Sequence, residues 1–179
     1  MKRYIRVHSE FIELPPRLVL HELRHDSVKR LIHAVEKGIF RDVHTVAIVD
    51  SLRLKDTSVV RIVTKKSGGL IYWLVQDWLG RENWAGGFFR YGSKEHAEEA
   101  AVASPAMRGR GLYMAVLRHI RKTYKRPLIS DRTLSVANVM SWVRAGAVVG
   151  EERFRINPKP WIHQFACLET ITVGQRKIP

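Results

Sequence analysis

Cysteine is almost absent from this 179-residue chain, which contains only Cys167. A single cysteine excludes an internal disulfide and a metal site built from several thiolates, so we expect a reducing cytoplasm. The N-terminal stretch MKRYIRVHSE lacks the apolar core of a signal peptide. No apolar run reaches the roughly 18 residues that a membrane-spanning helix requires. The histidines lack HExxH-type spacing, and no acidic cluster indicates a bound metal.

Acidic residues are scarce relative to basic ones. The chain has 31 Lys and Arg against 17 Asp and Glu, a formal net charge of +14. Half of this excess lies in residues 105–132, which hold eight basic residues and one acid, Asp131. Such an excess of positive charge gives information about binding partners rather than about the fold. A solvated basic helix face is one interpretation, and a surface for a phosphate-bearing ligand, an acidic protein or a nucleic acid is the other.

Hydrophobic periodicity predicts one α/β domain over residues 1–179. Apolar residues at helical spacing predict helices over 24–40, 112–124 and 135–147. Strands are predicted at 43–50, 58–64, 70–79, 98–104, 127–130, 148–156 and 161–173, with a short strand or loop at 86–92. We expect Asp26 or Ser27 to cap the first helix and Gly38 to end it. This order predicts a single mixed, mostly antiparallel sheet flanked by helices.

Two glycines and two arginines lie between a predicted strand and a predicted helix, in Arg108-Gly109-Arg110-Gly111. Helix N-termini present unpaired N–H groups and a partial positive charge. The glycines permit positive φ and close approach of a ligand, while the arginines add charge. The turn therefore predicts a phosphate or pyrophosphate cradle, although a plain strand-to-helix turn with exposed arginines is the alternative. It is neither a P-loop nor a dinucleotide fingerprint, because the Lys-Ser/Thr pair and the third glycine are missing.

The same stretch resembles the acyl-coenzyme A loop of the GNAT superfamily of N-acetyltransferases, whose pattern is Gln/Arg-x-x-Gly-x-Gly/Ala. Arg108 matches the first position of that pattern and Gly111 the fourth. The strand PLIS and the helix ending WVRAGAVV also resemble later segments of the family, with Trp142 and Gly146 at the places of its aromatic residue and glycine. The resemblance covers about residues 95–150 and implies a GNAT-like fold.

Three residues depart from the family pattern. Tyr113 stands at a Gly or Ala position, Ser135 replaces an Asn, and Trp142 replaces the tyrosine that protonates the leaving thiolate in many members. Tryptophan has no acidic hydroxyl, so that role is empty or filled from elsewhere. Tyr91, Tyr113 and Tyr124 are the candidates, although Tyr124 continues the apolar stripe of its helix.

The resemblance implies an N-acetyltransferase in which an amine attacks the thioester of acetyl-coenzyme A directly. The implied cofactor-binding residues are Val102, Ala103, Ser104, Arg108, Gly109, Arg110, Gly111, Leu112 and Tyr113, with backbone N–H groups of the first three facing the thioester. Glu98 or Glu99 is the candidate base, and strand alternation lets at most one of them reach the cleft. Both are alternatively solvated acids at the start of the strand. His96 is a second candidate base, or a loop residue.

The acceptor is not specified by the sequence. The charge favours an acidic or nucleic-acid-linked amine, and some toxin-like members of the family acetylate aminoacyl-tRNA. The alternative is a GNAT-fold protein that has lost catalysis and acts as a basic nucleic-acid-binding or inhibitory module, which Tyr113 and Trp142 favour. Asp131 either holds an amine or caps the following turn. No membrane partner is expected, and a homodimer is left open.

Overall fold

The computed structural model describes residues 2–21, 25–41 and 43–158. Its elements in chain order are β1 (Arg3–Val7), β2 (Glu10–Leu14), β3 (Val19–Leu20), α1 (His25–Arg41), β4 (Ile48–Arg53), β5 (Val59–Ser67), β6 (Leu70–Gln76), β7 (Asn83–Tyr91), β8 (His96–Ala103), α2 (Leu112–Tyr124), β9 (Leu128–Ile129), β10 (Thr133–Leu134), α3 (Val136–Arg144), β11 (Val148–Val149) and β12 (Phe154–Ile156). A short 3-10 helix, Pro105–Met107, links β8 to α2. The expectation of a mixed α/β fold is confirmed.

Eight strands form the main sheet in the order β11-β12-β9-β8-β7-β6-β5-β4. Strands β4 to β8 form a meander in which each strand pairs antiparallel with the next. The β9–β12 and β12–β11 pairs are also antiparallel. Only β8 and β9 run parallel within this sheet, because α2 provides the crossover between them. The sheet is therefore mostly antiparallel, as predicted.

Helices cover both faces of the sheet. On one face, α1 packs against β5 to β8, and on the other α2 and α3 pack together above the sheet. Two apolar clusters result, and neighbouring residues of β5 divide between them: Ile62 lies in the α2–α3 cluster and Val63 in the α1 cluster. This division follows from the alternation of side chains along a strand.

The junction of β8 and β9 opens after only two residue pairs. His96 pairs with Leu128 and Ala97 with Ile129, where β9 ends. Strand β8 continues to Ala103. Within the described residues, the edge of β8 beyond Ala97 has no strand partner on the β9 side. The chain that follows β9 therefore no longer pairs with this edge through its backbone.

Several sequence predictions are corrected by the structure. Gly38 does not end α1, which continues to Arg41. A Cβ at Gly38 would lie 2.5 Å from Cε1 of Tyr72, so this glycine makes room for a ring of the sheet. The helix also begins at His25, which places the expected caps within its first turn.

Strand predictions also shift at their ends. Residues 43–47 are not extended strand, because β4 begins only at Ile48. The segment 86–92 belongs to a strand, β7. The hairpin of β1 and β2 was not predicted. The predicted strand 161–173, with Cys167, lies outside the described residues. No helix in the described part of the chain is long and apolar enough to cross a membrane.

Candidate functional site

The glycine turn, residues 108–111, connects the 3-10 helix to α2. Gly109 and Gly111 both have a φ of 73°, in the left-handed region that is costly for residues with a Cβ. Gly111 is the N-cap of α2 and supplies no side-chain cap, and the first helical turn contains no acid. The N-terminal amides of α2 are therefore left for a ligand or water, which suits an anion.

Gly111 and Arg110 hold the glycine turn against the loop between β4 and β5. The Lys55 N–H donates to the Arg110 carbonyl over 3.1 Å, and a Cβ at Gly111 would lie 3.3 Å from the Lys55 Cβ. Arg110 Nε donates to Asp56 Oδ2 at 2.7 Å, and its Nη2 donates to Ser58 Oγ at 2.8 Å. Hydrogen bonds from Ser58 and then from Arg110 lower the pKa of Asp56 to about 2. Arg110 therefore braces the turn, and Asp56 offsets its charge.

Arg108 and Gly109 differ from Arg110 because they face open space. Arg108 is exposed, and its guanidinium makes no hydrogen bond or ion pair with the residues that the structure describes. A Cβ placed on Gly109 would meet nothing within 4 Å. Of the two predicted arginines, Arg108 is thus the one beside the N-terminus of α2 whose charge is not paired with a described residue.

The free edge of β8 presents backbone N–H groups in a fixed alternation. The Ser104 N–H donates to the Trp84 carbonyl at 2.7 Å, on the β7 side. Successive N–H groups of a strand point to opposite edges, so Val102 also directs its N–H toward β7. Ala101 and Ala103 direct theirs to the β9 side, where no described strand pairs with them. Of the three residues predicted to face a thioester, alternation leaves Ala103 in position to do so.

A small cavity of about 30 Å³ lies between strands β6 to β8 of the sheet and the helices α2 and α3. Its lining residues are Trp73, Ala85, Ala101, Val102, Ala103, Leu112, Tyr113 and Asn138. Typical small-molecule sites are about 300–1,000 Å³, so this cavity by itself is too small to enclose an extended ligand. Asn138 was not singled out in the sequence, because a polar residue near a helix N-terminus is common.

Glu98 is the centre of a buried polar cluster. It is 2% exposed, and its carboxylate accepts three hydrogen bonds from other segments. The Tyr113 hydroxyl donates to Oε1, whereas Trp142 Nε1 and the Asp131 N–H donate to Oε2 at 3.0 and 3.2 Å. This Glu98 cluster therefore joins β8, α2, α3 and the chain after β9.

Burial and hydrogen bonding act in opposite directions on Glu98. Burial raises the pKa of Glu98 to about 7, although the Tyr113 hydroxyl and the Asp131 N–H favour the charged form. Burial and the neighbouring Glu98 carboxylate raise the pKa of Tyr113 well above its ordinary value. A carboxyl group that titrates near neutral pH is suited to proton transfer.

Glu99 points to the opposite face from Glu98. Strand β8 has a β-bulge at Glu99, between the pairs that β7 makes with Glu98 and Ala100. Glu99 is exposed and forms an ion pair with Arg90, whose Nη2 lies 2.9 Å from its Oε1. As alternation required, only one of the two candidate bases points inward.

The remaining candidates lie around His96, which begins β8 and is completely buried rather than in a loop. Its ring stacks on Tyr91 at 4.8 Å and meets the edge of Tyr124 at 6.1 Å. Burial, with Arg126 and Lys66, lowers the pKa of His96 to about 4. His96 is therefore neutral at pH 7, and Tyr113 is the tyrosine that contacts Glu98.

The side chains of Asp131 and Ser135 both accept hydrogen bonds from nearby backbone N–H groups. The Asp131 side chain accepts from the N–H of Arg132 at 2.6 Å, while its own N–H contributes to the Glu98 cluster. Ser135 caps α3 by accepting from the Asn138 N–H at 3.2 Å. No group of three or more His, Cys, Asp and Glu side chains suited to a metal occurs in the described ranges.

Comparison with known proteins gives little further information. No family model matches the chain, and no curated protein matches it. A solved structure that it resembles is a cAMP-binding acyltransferase from Mycobacterium smegmatis, at 13% sequence identity and a TM-score of 0.48. The match covers 74% of this chain and 52% of that one, so the chain spans about half the length of its structural neighbour.

Proposed function

We propose that this chain is an acyl-coenzyme A-dependent N-acetyltransferase of the GNAT type that acts on the amine of an acidic or nucleic-acid-linked acceptor. The opening between β8 and β9 is the observation that carries this proposal. It leaves the N–H groups of Ala101 and Ala103 unpaired by strands, next to the glycine turn and the uncapped N-terminus of α2. Such a strand edge and such an anion site suit an extended thioester that carries a pyrophosphate.

The glycine turn is suited to the phosphates of acetyl-coenzyme A. The amides at the start of α2 and the uncommitted guanidinium of Arg108 supply positive charge without a competing acid. The edge of β8 is suited to the amide-containing arm of the cofactor, because a strand edge binds an extended chain through its backbone groups. The Ala103 N–H is then available to the thioester oxygen, where charge develops during acyl transfer.

Acetyl-coenzyme A supplies a thioester whose acyl carbon bonds to the amine nitrogen as the C–S bond breaks. In our proposal, Tyr113 connects this reaction to Glu98, because it lines the cavity beside Ala103 and donates to Glu98 Oε1. Tyr113 takes the amine proton at its oxygen while its own proton passes to Glu98. The same path in reverse returns a proton to the departing sulfur, a role that Trp142 cannot perform.

A second candidate function is a basic binding module without catalysis. The observation in its favour is the enclosure of Glu98, which Tyr113 and Trp142 cover so that it is only 2% exposed. Such a module would bind a polyanion and leave acetyl-coenzyme A unhydrolysed and untransferred. Release of free coenzyme A thiol in the presence of amines separates the two functions.

Calorimetric titration of acetyl-coenzyme A tests the proposed cofactor site. We expect saturable binding that weakens about tenfold in Arg108→Gln, the loss of one charge-assisted contact. Arg90→Gln is the matched control, because Arg90 is already paired with Glu99, and it should bind like the native protein. Absence of binding to a folded protein would contradict the proposal. Thiol release with a panel of polyamines and aminoacyl-tRNA then identifies the acceptor.

A further inference from the structure

A second concave surface, the arginine groove, lies between the C-terminal halves of α2 and α3. It has a volume of about 670 Å³ and is lined by Arg118, Arg121, Arg144, Asn157 and uncharged residues. None of the described residues that line it is acidic. It shares no residue with the glycine turn or the Glu98 cluster, although α2 contributes to all three.

The arginines of this groove are not neutralised by the part of the chain that the structure describes. Arg118 Nη2 donates to the Arg144 carbonyl at 3.0 Å, which orients Arg118 without offsetting its charge. Neither Arg121 nor Arg144 forms an ion pair with a described residue. Three like charges around a concavity concentrate positive potential, which attracts an anion.

The positive charge continues along α2 as a stripe. Arg121 and Lys122 lie three and four residues after Arg118, which places the three on one side of α2. Lys125, seven residues after Arg118, is the C-cap of the helix. Seven residues advance about 10 Å along the helix axis, a length over which a nucleic-acid duplex carries about six phosphates. The dimensions of the stripe therefore match a linear polyanion rather than one small anion.

A neighbouring groove shows that this lack of compensation is local. The mixed groove has a similar volume of about 690 Å³ and is also rich in arginine, but it includes three glutamates. Arg155 pairs with Glu95 at 2.5 Å and Arg132 with Glu152 at 2.7 Å. Basic residues are thus balanced in one groove and unbalanced in the other.

The segment that follows the described residues does not supply the missing negative charge. Residues 159–179 contain one acid, Glu169, against Lys159, Arg176 and Lys177. A net basic segment adds to the positive charge instead of neutralising it. An anion bound in the groove would therefore come from another molecule.

We infer that the arginine groove binds the phosphodiester backbone of a nucleic acid. Arginine suits this ligand because its planar guanidinium donates to two phosphate oxygens at once. The inference does not rest on the proposed acyl transfer, because the groove and the cofactor site use different residues. Where both hold, the bound nucleic acid brings the acceptor amine to the protein.

Fluorescence anisotropy with three labelled probes tests the inference: a DNA duplex, a single-stranded DNA and a structured RNA of equal length. The test variant carries Arg118→Gln, Arg121→Gln and Arg144→Gln. The control carries Arg90→Gln, Arg132→Gln and Arg155→Gln, an equal change of charge at paired arginines. We expect the test variant to bind at least about tenfold more weakly. On the duplex, the log affinity of the test variant should fall less steeply with log salt than that of the native protein. The slope should decrease in magnitude by about 0.9 for each arginine removed.

Equal loss of nucleic-acid affinity in both triple variants would overturn the inference, because it would show that affinity depends only on the net charge of the protein. Equal competition by polyglutamate and by unlabelled nucleic acid would also overturn it, in favour of an acidic protein partner. The probe that binds most tightly shows whether the preferred backbone is that of DNA or of RNA. If the test variant does not fold, Arg121→Gln and Arg144→Gln are measured singly, because their guanidinium groups form no ion pair with described residues. Acetyl-coenzyme A titration of the same variants should be unchanged, which separates this test from that of the proposed activity.

Discussion

The glycine turn and the Glu98 cluster flank the same end of α2, yet one is open and the other closed. A Cβ on Gly109 would meet nothing within 4 Å, and Arg108 is exposed beside it. Glu98 is 2% exposed and already accepts three hydrogen bonds. In the proposed reaction the glycine turn is a preformed anion site, and proton transfer depends on Tyr113, which contacts the buried Glu98 carboxylate. Binding and catalysis should therefore respond to different substitutions.

The largest effect is expected from Glu98→Gln, which removes the proton acceptor while keeping the side-chain shape. We expect kcat/KM for acetyl transfer to fall at least about 100-fold, the range typical of general base removal. Acetyl-coenzyme A affinity should change little, because Glu98 is not part of the glycine turn. Glu99→Gln is the control and should keep native rates, since Glu99 points outward to Arg90. Equal losses in the two variants would show that Glu98 is not the base.

The stability of the Glu98 cluster should depend on pH with a defined sign. The pKa of Glu98 is raised from 4.5 to about 7 in the folded protein, so the unfolded chain releases its proton first as pH rises. The stabilisation is complete below about pH 4.5 and is lost as pH rises toward 7. A difference of this size corresponds to about 3 kcal/mol.

Denaturant unfolding of the native protein and of Glu98→Gln at pH 4.5 and pH 8 measures this effect. The free energy of unfolding of the native protein, relative to the variant, should be larger at the lower pH. Other titrating groups cancel in the comparison because both proteins contain them. A relative stability that rises with pH would mean that the hydrogen bonds to Glu98 outweigh its burial.

At the glycine turn, Gly109→Asp and Gly109→Asn differ by charge alone. Both side chains tolerate the left-handed conformation, and a Cβ here meets nothing within 4 Å. We expect the Asp variant to bind acetyl-coenzyme A about tenfold more weakly than the Asn variant, because its carboxylate competes for the N-terminus of α2. Calorimetry measures both affinities, and indistinguishable values would show that the phosphates of acetyl-coenzyme A do not bind at this turn.

The smallest effect should come from the brace between Arg110 and Asp56. Asp56→Asn frees the Arg110 charge without deleting it, so acetyl-coenzyme A should bind about threefold more tightly, the scale of an exposed ion pair. Arg110→Gln should not produce this gain. Affinities at two salt concentrations check the origin of the effect, because an electrostatic gain diminishes as salt rises. A gain that is independent of salt would argue against this explanation.

Local signals in the sequence predicted the glycine turn better than the Glu98 cluster. The apolar stripe of α2 and the glycines before it define a helix at Leu112–Tyr124, and both glycines have the expected positive φ. The choice between Glu98 and Glu99 depends on the phase of β8 and on its bulge, which the sequence does not specify. The prediction that Gly38 ends α1 is wrong because this glycine instead makes room for the ring of Tyr72, a residue of the sheet.

Contacts between segments that are distant in the chain could not be predicted from the sequence. Arg110 and Asp56 are 54 positions apart, and nothing in either neighbourhood predicts their pairing. The change to Trp142 indicated only that a hydroxyl was lost. The structure shows that the indole N–H of Trp142 is instead a donor to Glu98 at 3.0 Å, so the departure from the family pattern alters the surroundings of the candidate base.

Amide chemical shifts recorded while acetyl-coenzyme A is added test the proposed function most directly. We expect saturable shifts at Ala101, Ala103 and the amides of 109–112, where the strand edge and the glycine turn are open. Shifts at Arg118, Arg121 and Arg144 should be small at the same concentrations. Shifts confined to those three arginines, or no shifts in a folded protein, would contradict an acyl-coenzyme A site between β8 and α2.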